Sequence, residues 1–154
     1  METRVKPTMD IETRLSLEDL NGDFCYHLDH GNVDALLDLF CEDATYSHGK
    51  RVSNTRAEIR ELFQRRQAET IRTSRHLQTG LRVKRTGIKT ATGESVCLTF
   101  AADEPPPIYS ASPYLVADFL DEYRCCSDGK WRIAKRHIKR IFTSRENTGP
   151  VGEI

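Results

Sequence analysis

The apolar positions change rhythm once along the chain, near Thr73: before it they recur in steps of three and four, after it in steps of two. Leu17, Leu20, Phe24 and Leu28 lie at helical spacing and Gly31 ends the run, which predicts a helix over about Ile11–His30. Asn32 is placed to cap a short second helix, Val33–Phe40, carrying Leu36, Leu37 and Phe40. Ala44–Tyr46 and Arg51–Val52 flank a His48-Gly49 turn and predict a short hairpin that leaves His48 exposed. Thr55-Arg-Ala-Glu58 reads as a capping box, and Ile59, Leu62 and Phe63 then share one face of a third helix.

Beyond Thr73 the pattern is that of strands. Arg75–Arg85 alternates through Leu77, Thr79, Leu81 and Val83, which sets His76 on the opposite face unless a bulge shifts the phase. Ser95–Ala101 is expected to follow a Thr92-Gly93 turn, and Tyr114–Cys125 and Lys130–Phe142 to meet at Asp128-Gly129. Pro105, Pro106 and Pro107 fall between strands, where they break no ladder. Helices first and antiparallel strands after them predict an α+β fold with the helices on one face of the sheet.

Composition narrows this to one domain over 1–154, with a core of about 11–143 and polar tails at 1–10 and 144–154. Lys plus Arg and Asp plus Glu are 23 each, so no bulk positive charge drives nucleic-acid binding. The basic run Lys130–Arg140 reads as the solvated sides of a strand. No signal peptide or membrane helix is expected, and five cysteines without a C-x-x-C pair fit a cytoplasmic protein without disulfides or zinc. A formal charge of zero favours self-association.

The order helix, short helix, hairpin, capped helix and long meander resembles the SnoaL-like superfamily of cone-shaped α+β proteins. The resemblance spans about Leu15 to Phe142. It rests on His27-Leu-Asp-His-Gly-Asn32 with the following Val33–Ala44, on Thr55-Arg-Ala-Glu-Ile59, and on Asp128-Gly-Lys-Trp-Arg-Ile133. It implies a strongly curved, mostly antiparallel sheet with three N-terminal helices on its concave face. Within the superfamily the pattern is most similar to scytalone dehydratase, bile-acid 7α-dehydratase and hexachlorocyclohexane dehydrochlorinase. Those enzymes carry an aspartate at the end of the first helix and a histidine opening the strand after the third, positions held here by Asp29 and His76. Trp131 leads to Arg136 at the spacing seen in two of the three, and Tyr46 corresponds to a first-strand tyrosine that in scytalone dehydratase binds the substrate carbonyl through water. The chain departs from scytalone dehydratase at Leu28, where that enzyme has tyrosine, and lacks its second histidine near Phe100–Asp103.

The resemblance thus implies a cofactor-independent lyase, a dehydratase or dehydrohalogenase, with isomerisation as its nearest neighbour. Its substrate would be small, largely apolar and cyclic. His76 would take a C–H proton, Asp29 would orient the imidazole, and Arg136 would stabilise negative charge. Tyr46, Tyr26, His137 and Tyr109 are the expected substrate-binding residues, with the Thr99–Ser112 loop setting specificity. Each residue also has a plainer reading: Asp29 as a solvated helix end, His76 as a surface histidine, Arg136 on the exposed side of its strand, and the tyrosines and His137 as packing. A rival function is that of an assembly subunit resembling the small subunit of aromatic-ring dioxygenases, or of a small-molecule binding protein. In either case a homotrimer or homodimer is expected, formed through the face of the sheet that carries no helices.

Overall fold

A computed structural model of the chain describes residues 8–69, 71–109 and 113–144. The expected tails therefore lie outside the described residues except at 8–10 and 144, as do positions 110–112 of the expected loop. The elements run α1 (Ile11–Asp29), α2 (Val33–Asp38), β1 (Phe40–His48), β2 (Arg51–Ser53), α3 (Arg56–Glu69), β3 (Thr73–Arg85), β4 (Thr90–Ala102), β5 (Leu115–Cys125) and β6 (Trp131–Thr143). The strands form one curved, unclosed sheet in the order β2-β1-β6-β5-β4-β3, antiparallel throughout except for the β1–β6 pair. The helices pack on its inner face.

The helix ends are closed at Gly31 and Thr55 as the sequence anticipates, and at Asp10 in addition. Asp10 caps α1 by accepting from the Thr13 backbone N–H at 2.8 Å, and Gly31, at φ 68°, turns the chain away. At α3 the Thr55 hydroxyl accepts from the Glu58 N–H, while the Glu58 carboxylate accepts from the N–H of Asn54 at 2.7 Å. Phe24 of α1 is wholly buried, its ring edge-on to Phe40, Phe63 and Phe119 with centroids 6.0–6.5 Å apart. Burying such a side chain contributes about 2–3 kcal/mol, and here it joins α1, β1, α3 and β5 at one point.

Three local expectations are corrected. The second helix ends at Asp38, because Phe40 already pairs with Ile133 as the first residue of β1. The first hairpin turns at Gly49-Lys50, with Gly49 at φ 61°, so His48 is the last residue of β1 and is buried. No turn forms at Thr92-Gly93; the β3–β4 turn closes where the N–H groups of Thr86 and Gly87 donate to the Thr90 carbonyl. Gly93 is needed mid-strand for another reason: a Cβ there would lie 2.7 Å from the Tyr123 ring.

The phase of β3 also differs from simple alternation. Thr79 pairs with Val96 but Arg82 with Glu94, so β3 has one residue more than its partner around Gly80, whose φ is +67°. Ser74, His76 and Gln78 therefore face inward before the bulge, and Leu81 and Val83 after it. Leu77 is turned to the outer face, where cross-strand pairing extends it into an apolar row with Leu98, Val116 and Phe142. Leu77 and Phe142, at the row's ends, are 51% and 69% exposed.

Candidate active site

The end of α1 meets the start of β3 at a buried carboxylate. Asp29 Oδ1 accepts from the His76 ring at Nδ1, 2.6 Å away, and from the Ser74 hydroxyl at 2.8 Å; Oδ2 accepts from the His76 backbone N–H, also at 2.8 Å. These donors offset the unfavourable placement of an acid at the negative end of a helix. Burial pushes the Asp29 carboxyl up, but hydrogen bonds from His76, its charge and the Ser74 bond outweigh it and leave the group lowered. Burial likewise disfavours the His76 imidazolium. Asp29 works against that, while Arg66 and Arg72 add to it, and the ring is held below its ordinary range. The resting state is an aspartate beside a neutral imidazole whose Nδ1–H is committed to the carboxylate, which leaves Nε2 as the basic nitrogen.

The His76 ring borders a cavity between α3 and the sheet, walled on its apolar side by Phe24, Leu62, Phe63, Phe119 and Ile138. Tyr46, pointing inward from β1, also lines it, and burial raises its phenol to about 12, so it is protonated. Among the described residues its hydroxyl has no hydrogen-bond partner. His48, two residues on and on the same face, reaches the cavity too and accepts from Arg140 Nε at 3.0 Å. Burial, followed by the charges of Arg140, Arg66 and Arg51, lowers its pKa to about 4. Its role was visible in the Ala44–Tyr46 alternation, which needed only one more step of two.

The other expected site residues lie elsewhere. Tyr26 is 59% exposed on the solvent side of α1, stacked on His30. Tyr109 is 99% exposed in the loop after β4, and Tyr114 takes the place at the cavity instead. His137 alternates to the outer face of β6, where its Nδ1 shares a hydrogen bond with the Ser47 hydroxyl at 2.8 Å. Arg136 points inward but stops beneath the cavity. Its guanidinium is completely buried, donates to both Asp121 oxygens at 2.8 and 2.7 Å and to Asn21, and lies 4.3 Å from the Phe24 ring centroid and 4.7 Å from that of Phe119. An arginine neutralised by a bidentate aspartate and roofed by two rings has no free path to a substrate. It holds the floor of the site. A chain of buried polar groups continues from it: Tyr123 donates to Asp121, Asn21 to Tyr123, and Gln78 to Asn21.

Among the described residues no group of three or more His, Cys, Asp or Glu side chains is arranged to hold a metal ion, and no helix is long and apolar enough to cross a membrane.

Comparison with known proteins agrees with this architecture. No curated protein matches the chain. Among solved structures, a protein of unknown function from Mycobacterium tuberculosis is 21% identical over 86% of this chain and 78% of its own, with a TM-score of 0.76. A provisionally assigned scytalone dehydratase from Novosphingobium aromaticivorans is 20% identical over 94% and 95%, with a TM-score of 0.77. The β subunit of a provisionally assigned aromatic-ring-hydroxylating dioxygenase from the same organism is 13% identical over 86% and 92%, with a TM-score of 0.75. At these identities the likeness is one of fold. The SnoaL-like domain model matches residues 9–137, most of the helices and sheet described above, and the chain belongs to that family.

Proposed function

We propose that the protein is a lyase that removes water or a hydrogen halide from a small, largely apolar cyclic substrate by Asp29–His76 acid/base chemistry. The observation that supports it most is the neutral imidazole, fixed by a buried carboxylate, at the edge of a partly apolar cavity. His76 Nε2 takes a proton from the carbon beside the leaving group, the C–H electrons form the new double bond, and hydroxide or halide departs. Asp29 stabilises the imidazolium that forms, and the Tyr46 hydroxyl donates a hydrogen bond to a carbonyl or to the leaving group. The proton then passes from His76 to the departing hydroxide or to solvent. The same proton abstraction without departure of a group would give isomerisation.

A non-catalytic subunit would have no use for an open cavity with a committed tautomer beside it. Screening cyclic β-hydroxy ketones and cyclic halides for formation of a conjugated double bond tests the reading. Turnover that disappears in His76→Ala supports it. Turnover that survives His76→Ala within a factor of a few removes His76 as the base.

A further inference from the structure

Arg66 occupies an unusual place for a charged residue. It continues the Ile59, Leu62, Phe63 stripe of α3 by one more helical step, on the face packed toward the sheet. It lines the cavity at His76, as does Arg72 from the segment before β3. Among the described residues Arg66 makes no hydrogen bond and no ion pair. The acid on its other side, Asp29, has both oxygens committed to Ser74 and His76. Arg72 is partly satisfied: its Nη1 donates to Asp103 at 3.2 Å and its guanidinium lies 5.2 Å from the Tyr114 ring centroid, but its buried Nε has no partner. Arg51 and Arg65 border the same cavity, against a single carboxylate, that of Glu69.

Two like charges brought together in a half-buried site repel, and burial of each costs desolvation. Arg66 shows it: burial and the charge of Arg72 lower its guanidinium from the ordinary value. Among the described residues Arg66 has no ion-pair partner and the charge of Asp29 offsets this only in part, whereas the fully buried Arg136 has its own aspartate. A cation without an ion-pair partner at a ligand cavity fits a counter-charge that arrives with the ligand.

We propose that the cavity selects small molecules that join an apolar ring to an anionic group, with the anion seated on Arg66 and the Nε of Arg72 and the ring against Phe63 and Phe119. The inference rests on reading the cavity as a substrate site and narrows the substrate class to organic acids. It also orients the substrate, because the anion lies on the α3 side and the reacting carbon at His76.

The test measures binding, so it is independent of turnover. Benzoate and 2-naphthoate, each beside its neutral primary carboxamide, are titrated into the full-length protein by calorimetry. At least one acid should bind about tenfold or more tightly than its amide, a preference that falls to within about threefold in Arg66→Gln. Arg66→Lys should keep part of it, and Lys139→Gln, which removes a charge from the outer face, should keep all of it. His76→Ala should also retain the preference, which separates anion selection from the catalytic reading. Equal affinity of acid and amide in the native protein, or an unchanged preference in Arg66→Gln, overturns the inference and leaves the lyase reading standing. Failure of all four probes to bind also overturns the inference, while the lyase reading is judged by the turnover screen.

Discussion

Asp29 grips His76 twice, through the ring Nδ1 and through the backbone N–H of the same residue. The second bond fixes the start of β3 against the end of α1, so ring orientation does not depend on the side chain alone. Asp29→Asn therefore keeps the backbone contact possible while removing the charge that supports imidazolium. Activity should fall about a hundredfold or more in Asp29→Asn, and further in His76→Ala, which removes the proton acceptor. Initial rates on any substrate found by the screen check both.

The pH profile should report the imidazole. His76 is lowered from 6.5 by burial, and it must be neutral to act as a base. Activity should be level above about pH 7 and fall on acidification, with its midpoint below the ordinary histidine value. Asp29 opposes that lowering, so in Asp29→Asn the acid limb should move to still lower pH while the plateau drops. An acid limb that moves upward in the variant would contradict the assigned interaction.

Arg136 is predicted to matter for stability before chemistry. Truncation to Ala leaves Asp121 buried and unpaired, and should cost about 3–5 kcal/mol in denaturant unfolding. Replacing both partners together, Arg136→Met with Asp121→Leu, should recover a large part of that loss. A folded Arg136→Ala of native stability would show that the ion pair contributes little.

His48 makes the fold sensitive to acid. Its folded pKa of about 4 lies below the 6.5 of the free side chain, so the unfolded chain binds the extra proton and stability rises with pH between those values. Stability conferred by neutral His48 is complete above about 6.5 and lost as pH falls toward 4. The gap bounds the loss at about 3 kcal/mol. His48→Gln should flatten this part of the stability–pH curve, as read by urea unfolding at pH 7 and pH 4.5.

The outer row of Leu77, Leu98, Val116 and Phe142 is a continuous apolar band on a sheet face without helices. A homotrimer or homodimer that covers it is the expected solution state. Sedimentation at micromolar concentration should show an oligomer that Val116→Lys dissociates. A native monomer would contradict this.

Much of the fold was legible because the helical stripes, the caps at Asn32 and Thr55 and the long meander each carry a strong local signal. The Asp29–His76 contact joins residues far apart in sequence, and only the likeness to known sequences placed them together. Alternation alone counted His76 onto the wrong face, since a bulge is invisible to a period-two count unless its glycine is recognised. Arg136 resembled a ligand-binding residue by spacing from Trp131, but its partner Asp121 comes from the neighbouring strand and cannot be paired by sequence. Arg66 was written into the α3 stripe and overlooked because stripes are read for apolar residues.

The Gly80 bulge means that the inward address of His76 is stored in the length of β3 as well as in its letters. Upstream and downstream halves of that strand run in opposite phase, reconciled by one surplus residue. Deleting it would swap faces rather than shorten a strand: either His76 and Gln78 would exchange places with Arg75 and Leu77, or Leu81 and Val83 would leave the interior. Descent with small insertions and deletions is thus tightly restricted between His76 and Val83. A lineage could change the residues lining this site freely by comparison with how rarely it could change their count.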